Sequence, residues 1–313
     1  MEKMSHGVLV VNKPDGWTSH DVVSRIRTIL GIQKVGHAGT LDPHATGVLP
    51  VLIGKGTKIS QYLLDWDKEY AAVLQLGQVT DTQDAWGTVL EEKSCESLTE
   101  SDICSAFMRF QGAIQQVPPM YSAVKVGGQP LYKKARKGQT VERQAKTVVI
   151  SDLEIQRLAI PEVGFRVACS KGTYVRTLCA DIGERLGVGG HLKWLQRQRV
   201  GPLHLDQAVD MESLKQRVEN GQLNGAWWTL DQVLATFPAV EVNDHDARKV
   251  LHGNAIPWVR VGWAGEKSGA VGSGESIRVR VKNKEGALLA LGKGPSLQAG
   301  LSGPVLALDT VLV

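Results

Sequence analysis

The chain holds 313 residues, 42% hydrophobic and 22% charged, a composition ordinary for a globular protein and long enough for one large domain and a small one. A net charge of +4 permits an anionic partner without demanding one. Cys95, Cys104, Cys169 and Cys179 contain no Cys-x-x-Cys pair, which excludes a zinc ribbon or a redox dithiol, and no apolar run reaches the roughly 18 residues of a membrane span.

The opening residues lead into a short apolar run, too short for a signal sequence, so the thiols are expected reduced and the protein cytoplasmic. Residues 7–11 suit a buried strand, and Asn12-Lys13-Pro14-Asp15-Gly16 turns the chain. Thr18 and Asp21 then form a capping box. Val22, Val23, Ile26, Ile29 and Leu30 make an apolar stripe at helical spacing, and Gly31 supplies the stop. A polar loop runs from Gly36 to Pro50, carrying glycines, two prolines and a single carboxylate, Asp42. Such a loop suits neither helix nor strand and is a natural carrier of function, although Asp-Pro is also a common turn dipeptide. Strands are expected at 48–53 and 70–76, with a short helix at 57–64 between them and a polar loop at 78–87 after them.

A helical pattern covers 98–110, ended by Pro118-Pro119. Lys125, Lys133, Lys134, Arg136, Lys137, Arg143 and Lys146 follow against one acid, Glu142, with Tyr121 and Tyr132 beside them. This segment is either a solvated face or a nucleic-acid-gripping flap. Strands at 148–158 and 164–170 pair, and Gly172-Thr173-Tyr174-Val175-Arg176 opens a helix closed at Gly187. The stretch from Lys193 to Arg199, with Arg197 and Trp194, is basic and a second candidate for anion contact. Further helices are expected at 211–218 and 230–234. A domain boundary is placed near Phe237-Pro238, followed by one helix at 245–251 and short strands at 259–263, 277–282, 287–291 and 305–313, the outline of a small β-barrel.

Gly36-His37-Ala38-Gly39-Thr40-Leu41-Asp42-Pro43, with Ala45-Thr46-Gly47-Val48-Leu49-Pro50 after it and Lys171-Gly172-Thr173-Tyr174-Val175-Arg176-Thr177 downstream, resembles the motifs of the bacterial tRNA pseudouridine-55 synthases, the TruB family. The likeness covers almost the whole chain, is strongest over 7–87 and 118–201, and fades in the tail. Ala38 stands where many relatives carry threonine, and Trp194 and Gln196 also depart from the pattern, which leaves the detail of RNA contacts in question. The resemblance implies an α+β (mixed α/β) pseudouridine synthase fold, with a central, mostly antiparallel sheet flanked by helices. A catalytic domain would span 1–236, with an RNA-gripping flap at about 118–147, and a PUA-like RNA-binding barrel would span 237–313.

The implied reaction isomerises the uridine at position 55 of the tRNA T-loop. It breaks the glycosidic bond, turns the uracil and rejoins it through C5, with no redox change and no need for a cofactor or metal. A carboxylate suits the oxocarbenium-like sugar of such a step. The resemblance assigns that carboxylate to Asp42, its orienting partner to Arg176, and base stacking or C5 deprotonation to Tyr70, for which a core tyrosine is the plain alternative. It also places His37 where the extruded nucleotide leaves space, Tyr174 and Leu195 around the uracil, Lys58 on a phosphate, and Lys13 with Pro14 under the catalytic loop. Lys133 and Arg136 fall in the flap as RNA contacts, and Asp81 and Asp84 match a nearby loop more weakly. The implied partner is the tRNA T-arm, bound by a monomer with no obligatory protein partner, and an accompanying role in tRNA folding is compatible with it. Rival readings fare worse. Gly54-Lys55-Gly56-Thr57 has the wrong spacing for a phosphate-binding loop, and His37, Asp42 and His44 lack the helical histidine spacing of a metal hydrolase. A binder that folds tRNA without modifying it has no use for a carboxylate facing an anionic ligand.

Overall fold

The computed structural model describes residues 5–122, 124–135, 137–223, 225–263, 276–296 and 303–313. Strand β1 (Gly7–Lys13) is apolar along its length and buried on both faces, so it lies inside a sheet rather than at its edge. Thr18 and Asp21 close their capping box at the start of α1 (Ser19–Leu30), and Gly31 ends the helix in the left-handed conformation at φ 66°. β2 (Val35–His37) and β3 (Thr46–Ile53) pair antiparallel and bracket the polar loop. A 3-10 turn at Gly54–Ile59 and α2 (Ser60–Leu64) lead to β4 (Lys68–Leu76), whose strict in-out burial follows its alternating sequence.

The segment at 78–87, read as a plain loop, begins as β5 (Gln78–Thr80), which pairs with β6 (Val89–Glu92) in a hairpin. Helix α3 (Glu100–Met108) is not ended by the prolines. Gly112, at φ 93°, starts β7 (Gly112–Gln116) before Pro118 is reached, and β7 pairs with the first residues of a later strand. The flap carries a small hairpin, β8 (Lys125–Val126) and β9 (Gln129–Pro130), and one helical turn, α4 (Leu131–Ala135). β10 (Lys146–Ala159), β11 (Glu162–Cys169), α5 (Val175–Arg185) and β12 (Gly190–Val200) follow. β13 (Leu203–His204), β14 (Val209–Asp210), α6 (Met211–Glu219), β15 (Trp227–Trp228) and α7 (Leu230–Val233) complete the first part.

The main sheet has the order β14-β1-β3-β12-β4-β11-β10-β7. Only the β1–β14 and β3–β12 contacts are parallel, so the sheet is mostly antiparallel, as the resemblance implies. The basic stretch at 193–199 is part of β12, in the middle of this sheet, with Lys193 and Trp194 exposed. Irregularities in the β12–β4 register between Leu192 and Trp194 and between Arg197 and Arg199 break the simple alternation, so that Arg197 is buried while Lys193 pairs with Glu162 at 2.6 Å and Arg199 lies 3.7 Å from Glu69. The cations of this stretch thus already have partners within the protein.

Beyond it, β16 (Ala239–Glu241), α8 (Asp244–Leu251), β17 (Ile256–Pro257), β18 (Gly262–Trp263), β19 (Ile277–Lys282), β20 (Leu288–Ser296) and β21 (Val305–Val311) build a second sheet. Among the described residues its order is β17-β21-β20-β19-β16-β18, a curled half-barrel in keeping with a PUA-like domain. The strand expected at 259–263 is mostly a 3-10 turn, Trp258–Arg260, with β18 after it. Val240, Val279, Val281, Ala290 and Leu306 form its own core. Leu291 and Leu312 instead join Val8, Tyr62 and Leu63 in a cluster shared with the first sheet.

Candidate active site

The loop between β2 and β3 is held from four directions. Ser19, the first residue of α1, is buried, accepts from the Leu41 amide at 3.0 Å and donates to the Leu41 carbonyl at 3.2 Å. The Asp42 carbonyl accepts from the Ala45 amide at 3.1 Å. Lys13, wholly buried at the end of β1, spends its ammonium on the carbonyls of Pro14, Trp17 and Pro43 at 2.8, 2.6 and 2.7 Å. Burial lowers its pKa to about 8, with Asp15 and Asp42 supporting the charge. Arg197, also buried, donates Nε to Val48 and Nη2 to Gly39 at 2.7 and 2.9 Å. Gly47 lets β3 pass this close: it sits at φ 98°, and a Cβ there would lie 2.2 Å from the Arg197 carbonyl oxygen.

Asp42 thus stands on a loop whose backbone is fixed on both sides of it. Its Oδ2 lies 2.9 Å from Nε of Arg176, the second residue of α5. Arg176 is buried, donates to the carbonyls of Thr82 and Tyr121 at 3.1 and 2.7 Å, and lies 3.7 Å from Asp84. Each guanidinium nitrogen thus has a partner, and the single Nε contact ties one carboxylate oxygen of Asp42 to a fixed charge. The recessed Asp42 side chain keeps 47% of its surface open. Crowding by the cleft walls pushes its pKa above the ordinary carboxylate value, Arg176 pulls it back and Asp84 adds to the rise.

Tyr70, on β4 and opposite Arg197 on β12, packs with Leu41, Ala45 and Leu195. Burial raises its pKa and Arg197 opposes the rise, so the phenol stays protonated at neutral pH. Tyr174 precedes α5, and its backbone amide and carbonyl are both bonded by the buried Gln116 side chain at 2.9 and 3.1 Å. Burial raises the Tyr174 phenol as well, against Ser122 and Arg176. His37 ends β2, half-buried, with Nδ1 unpaired among the described residues; burial and the Arg197 charge lower its pKa.

The structure therefore brings together Asp42, Arg176, Tyr70, Tyr174 and Leu195, with His37 at the edge and Asp84 behind Arg176. Lys13 lies under the loop with its three donors used on backbone carbonyls, which leaves none for RNA. Two other expected RNA contacts lie apart from the cluster. Lys58 is exposed and donates to the Val311 carbonyl of the second sheet at 2.8 Å, at the seam between the sheets. Lys133 is exposed on α4, outside the cluster, and Arg136 lies outside the described residues. Asp81 caps its own turn, accepting from the Thr88 amide at 2.8 Å. Sequence reasoning missed Arg197 as a brace, Ser19 and Gln116. Nothing local marks any of the three: simple alternation would put Arg197 on one face with Lys193 and Arg199, and the register shifts that separate them appear only in the folded sheet.

Comparison with known proteins finds relatives over most of the chain. The family model "TruB family pseudouridylate synthase (N terminal domain)" matches residues 27–175, and "tRNA pseudouridylate synthase B C-terminal domain" matches 176–239. The chain is 49% identical to the tRNA pseudouridine synthase B of Ralstonia pickettii, over 80% of each chain. It is 44% identical to that of Burkholderia pseudomallei, over 92% of each chain. Among solved structures, a Cbf5-Nop10-Gar1 complex matches with a TM-score of 0.74 and 30% identity over 99% of this chain and 86% of the other. An H/ACA RNP bound to a substrate RNA containing 2′-deoxyuridine matches with a TM-score of 0.73 and 27% identity over the same shares.

Proposed function

The chain belongs to the TruB family of pseudouridylate synthases, and on that basis we propose that it converts uridine 55 in the T-loop of tRNA to pseudouridine, with Asp42 as the nucleophile. The observation that carries this reading is the 2.9 Å contact between Asp42 and Arg176, which joins the two sequence motifs in one cleft.

The target base has to leave its stack to reach Asp42, at a cost of a few kcal/mol that protein contacts offset. Arg176 holds Oδ2, and among the described residues Oδ1 has no partner, which leaves it for the substrate. The C1′–N1 bond breaks while the carboxylate compensates the electron-poor centre. The uracil turns between Tyr70, Tyr174 and Leu195, C5 bonds to C1′, and the C5 proton departs as N1 regains one. His37 fills the space left by the extruded nucleotide. Lys133 and Arg136 act in a flap at 118–147 that grips the T-arm, and residues 237–313 form an RNA-binding domain beside a catalytic domain of 1–236. The enzyme works as a cytoplasmic monomer and needs no cofactor or obligatory protein partner. Because exposed Lys133 lies apart from the Asp42 cluster, a role in folding tRNA is separable from catalysis and uses the binding surface alone.

The test is to incubate the full chain with an unmodified tRNA transcript and map pseudouridine at nucleotide resolution. A single new pseudouridine in the T-loop, at position 55, is expected. No pseudouridine, or modification confined to another arm, overturns the reading.

A further inference from the structure

The polar segment after β5 ends in an exposed tryptophan that the reaction described above does not use. Trp86 stacks on His44 with ring centroids 3.4 Å apart and planes 18° from parallel, yet it remains 64% exposed. One face of the indole is therefore covered by the imidazole and the other faces water. Both rings stand at the mouth of the Asp42 cleft. His44 is two residues beyond Asp42, and the Trp86 amide donates to Asp84 Oδ1 at 3.1 Å, while Asp84 Oδ2 lies 3.7 Å from Arg176.

The support beneath this pair is firm. The Thr82 hydroxyl donates to Asp84 Oδ1 at 2.6 Å, and the Ala85 amide donates to the Leu192 carbonyl of β12 at 2.9 Å. Gly87 packs so closely that a Cβ there would lie 2.3 Å from the Thr82 hydroxyl. On its other side His44 meets Asp15 at 3.1 Å. A large apolar ring in water is unfavourable unless something covers it, and a ring held in place loses little freedom when that happens. Resting on the proposed RNA substrate, we infer that the open face of Trp86 is a stacking platform for a base of the substrate RNA next to the extruded uridine, with His44 as the support beneath it. A nucleobase fits this site better than a protein side chain because the surface is one flat π face continuous with the cleft that must receive the uridine, and every base presents such a face.

The test uses the full chain and a series of T-arm RNAs, each with one abasic nucleotide near the target uridine, with binding and single-turnover tritium release measured together. Stacking on an aromatic ring is worth about 1–3 kcal/mol per base, so Trp86→Ala should weaken binding of intact RNA about 5- to 150-fold. Its effect should fall on the dissociation constant more than on the rate at saturation. Trp86→Phe should recover most of the affinity, and His44→Ala should lose less than Trp86→Ala. The slope of affinity against salt should not change, since every phosphate contact is kept. At one abasic position the wild type should lose affinity and Trp86→Ala should lose no more. If Trp86→Ala binds intact RNA as the wild type does, or if the losses multiply at every abasic position, the platform is overturned. Wild-type release of tritium in the same assay keeps the outcome separate: without it the proposed function fails, and with it only the platform is at stake.

Discussion

Asp42 gains its meaning from the residues around it. A carboxylate in a half-open cleft has its ionisation set by competing effects: desolvation and Asp84 raise its pKa, and Arg176 lowers it. The proposed chemistry needs the ionised form, so activity should fall as pH drops through the Asp42 pKa. Removing the Arg176 charge strengthens the net rise and moves that acid limb to higher pH. Arg176→Gln, which keeps donors but not charge, should show the displaced limb in a profile of single-turnover rate against pH, and Arg176→Lys should show a smaller displacement. An unmoved limb in both would mean that Arg176 does not tune Asp42. Much of this site was legible in the sequence because the polar loop and the Tyr174–Arg176 segment each carry chemistry-bearing residues on a turn. The partners that hold them were not: Gln116 grips the Tyr174 backbone from far along the chain, a contact made only by folding.

At the scale of elements, the catalytic loop is rigid because three neighbours contribute side chains to its backbone: β1 through Lys13, α1 through Ser19 and β12 through Arg197. Arg197→Met would leave the Val48 and Gly39 carbonyls without their buried donor, at a cost of roughly 2–4 kcal/mol from the unmet hydrogen-bonding groups. A lower denaturant midpoint, with loss of rate exceeding loss of tRNA affinity, is the expected outcome. Unchanged stability would show that water replaces the guanidinium. The basic segment at 193–199 shows why this was hidden. Its charges suggest a surface, but β12 lies between β3 and β4, and the register shifts at Leu192/Trp194 and Arg197/Arg199 leave Arg197 buried while Lys193 and Arg199 meet Glu162 and Glu69. α1, by contrast, was readable in full, since its cap, apolar stripe and stop are all local signals.

The whole molecule couples the two sheets tightly. Asp231 in α7 takes both Arg280 and Lys282 of β19 at 2.7 Å, Arg278 lies 4.8 Å over the Tyr62 ring, and Leu291 and Leu312 enter the shared core. The tail is thus held firmly against the first sheet. Asp231→Ala should cost about 1 kcal/mol, modest because the pair is partly exposed, and should speed proteolysis near 237. Tail strands were expected at 277–282 and 305–313, and the structure has them at Ile277–Lys282 and Val305–Val311; the seam was not visible, because Lys58 and Tyr62 face the tail only once both sheets exist. In the flap, neutralising Lys133 and Lys134 to Gln should weaken tRNA binding and flatten its salt dependence by roughly 0.7–0.9 for each phosphate that the protein no longer neutralises. Unchanged binding would reduce them to a solvated face. The proposed reaction depends on Asp42, and release of tritium from tRNA carrying 5-tritiated uridine tests it most directly. The wild type should release the label, and Asp42→Asn should bind the same tRNA and release none; undiminished release by Asp42→Asn would contradict the account.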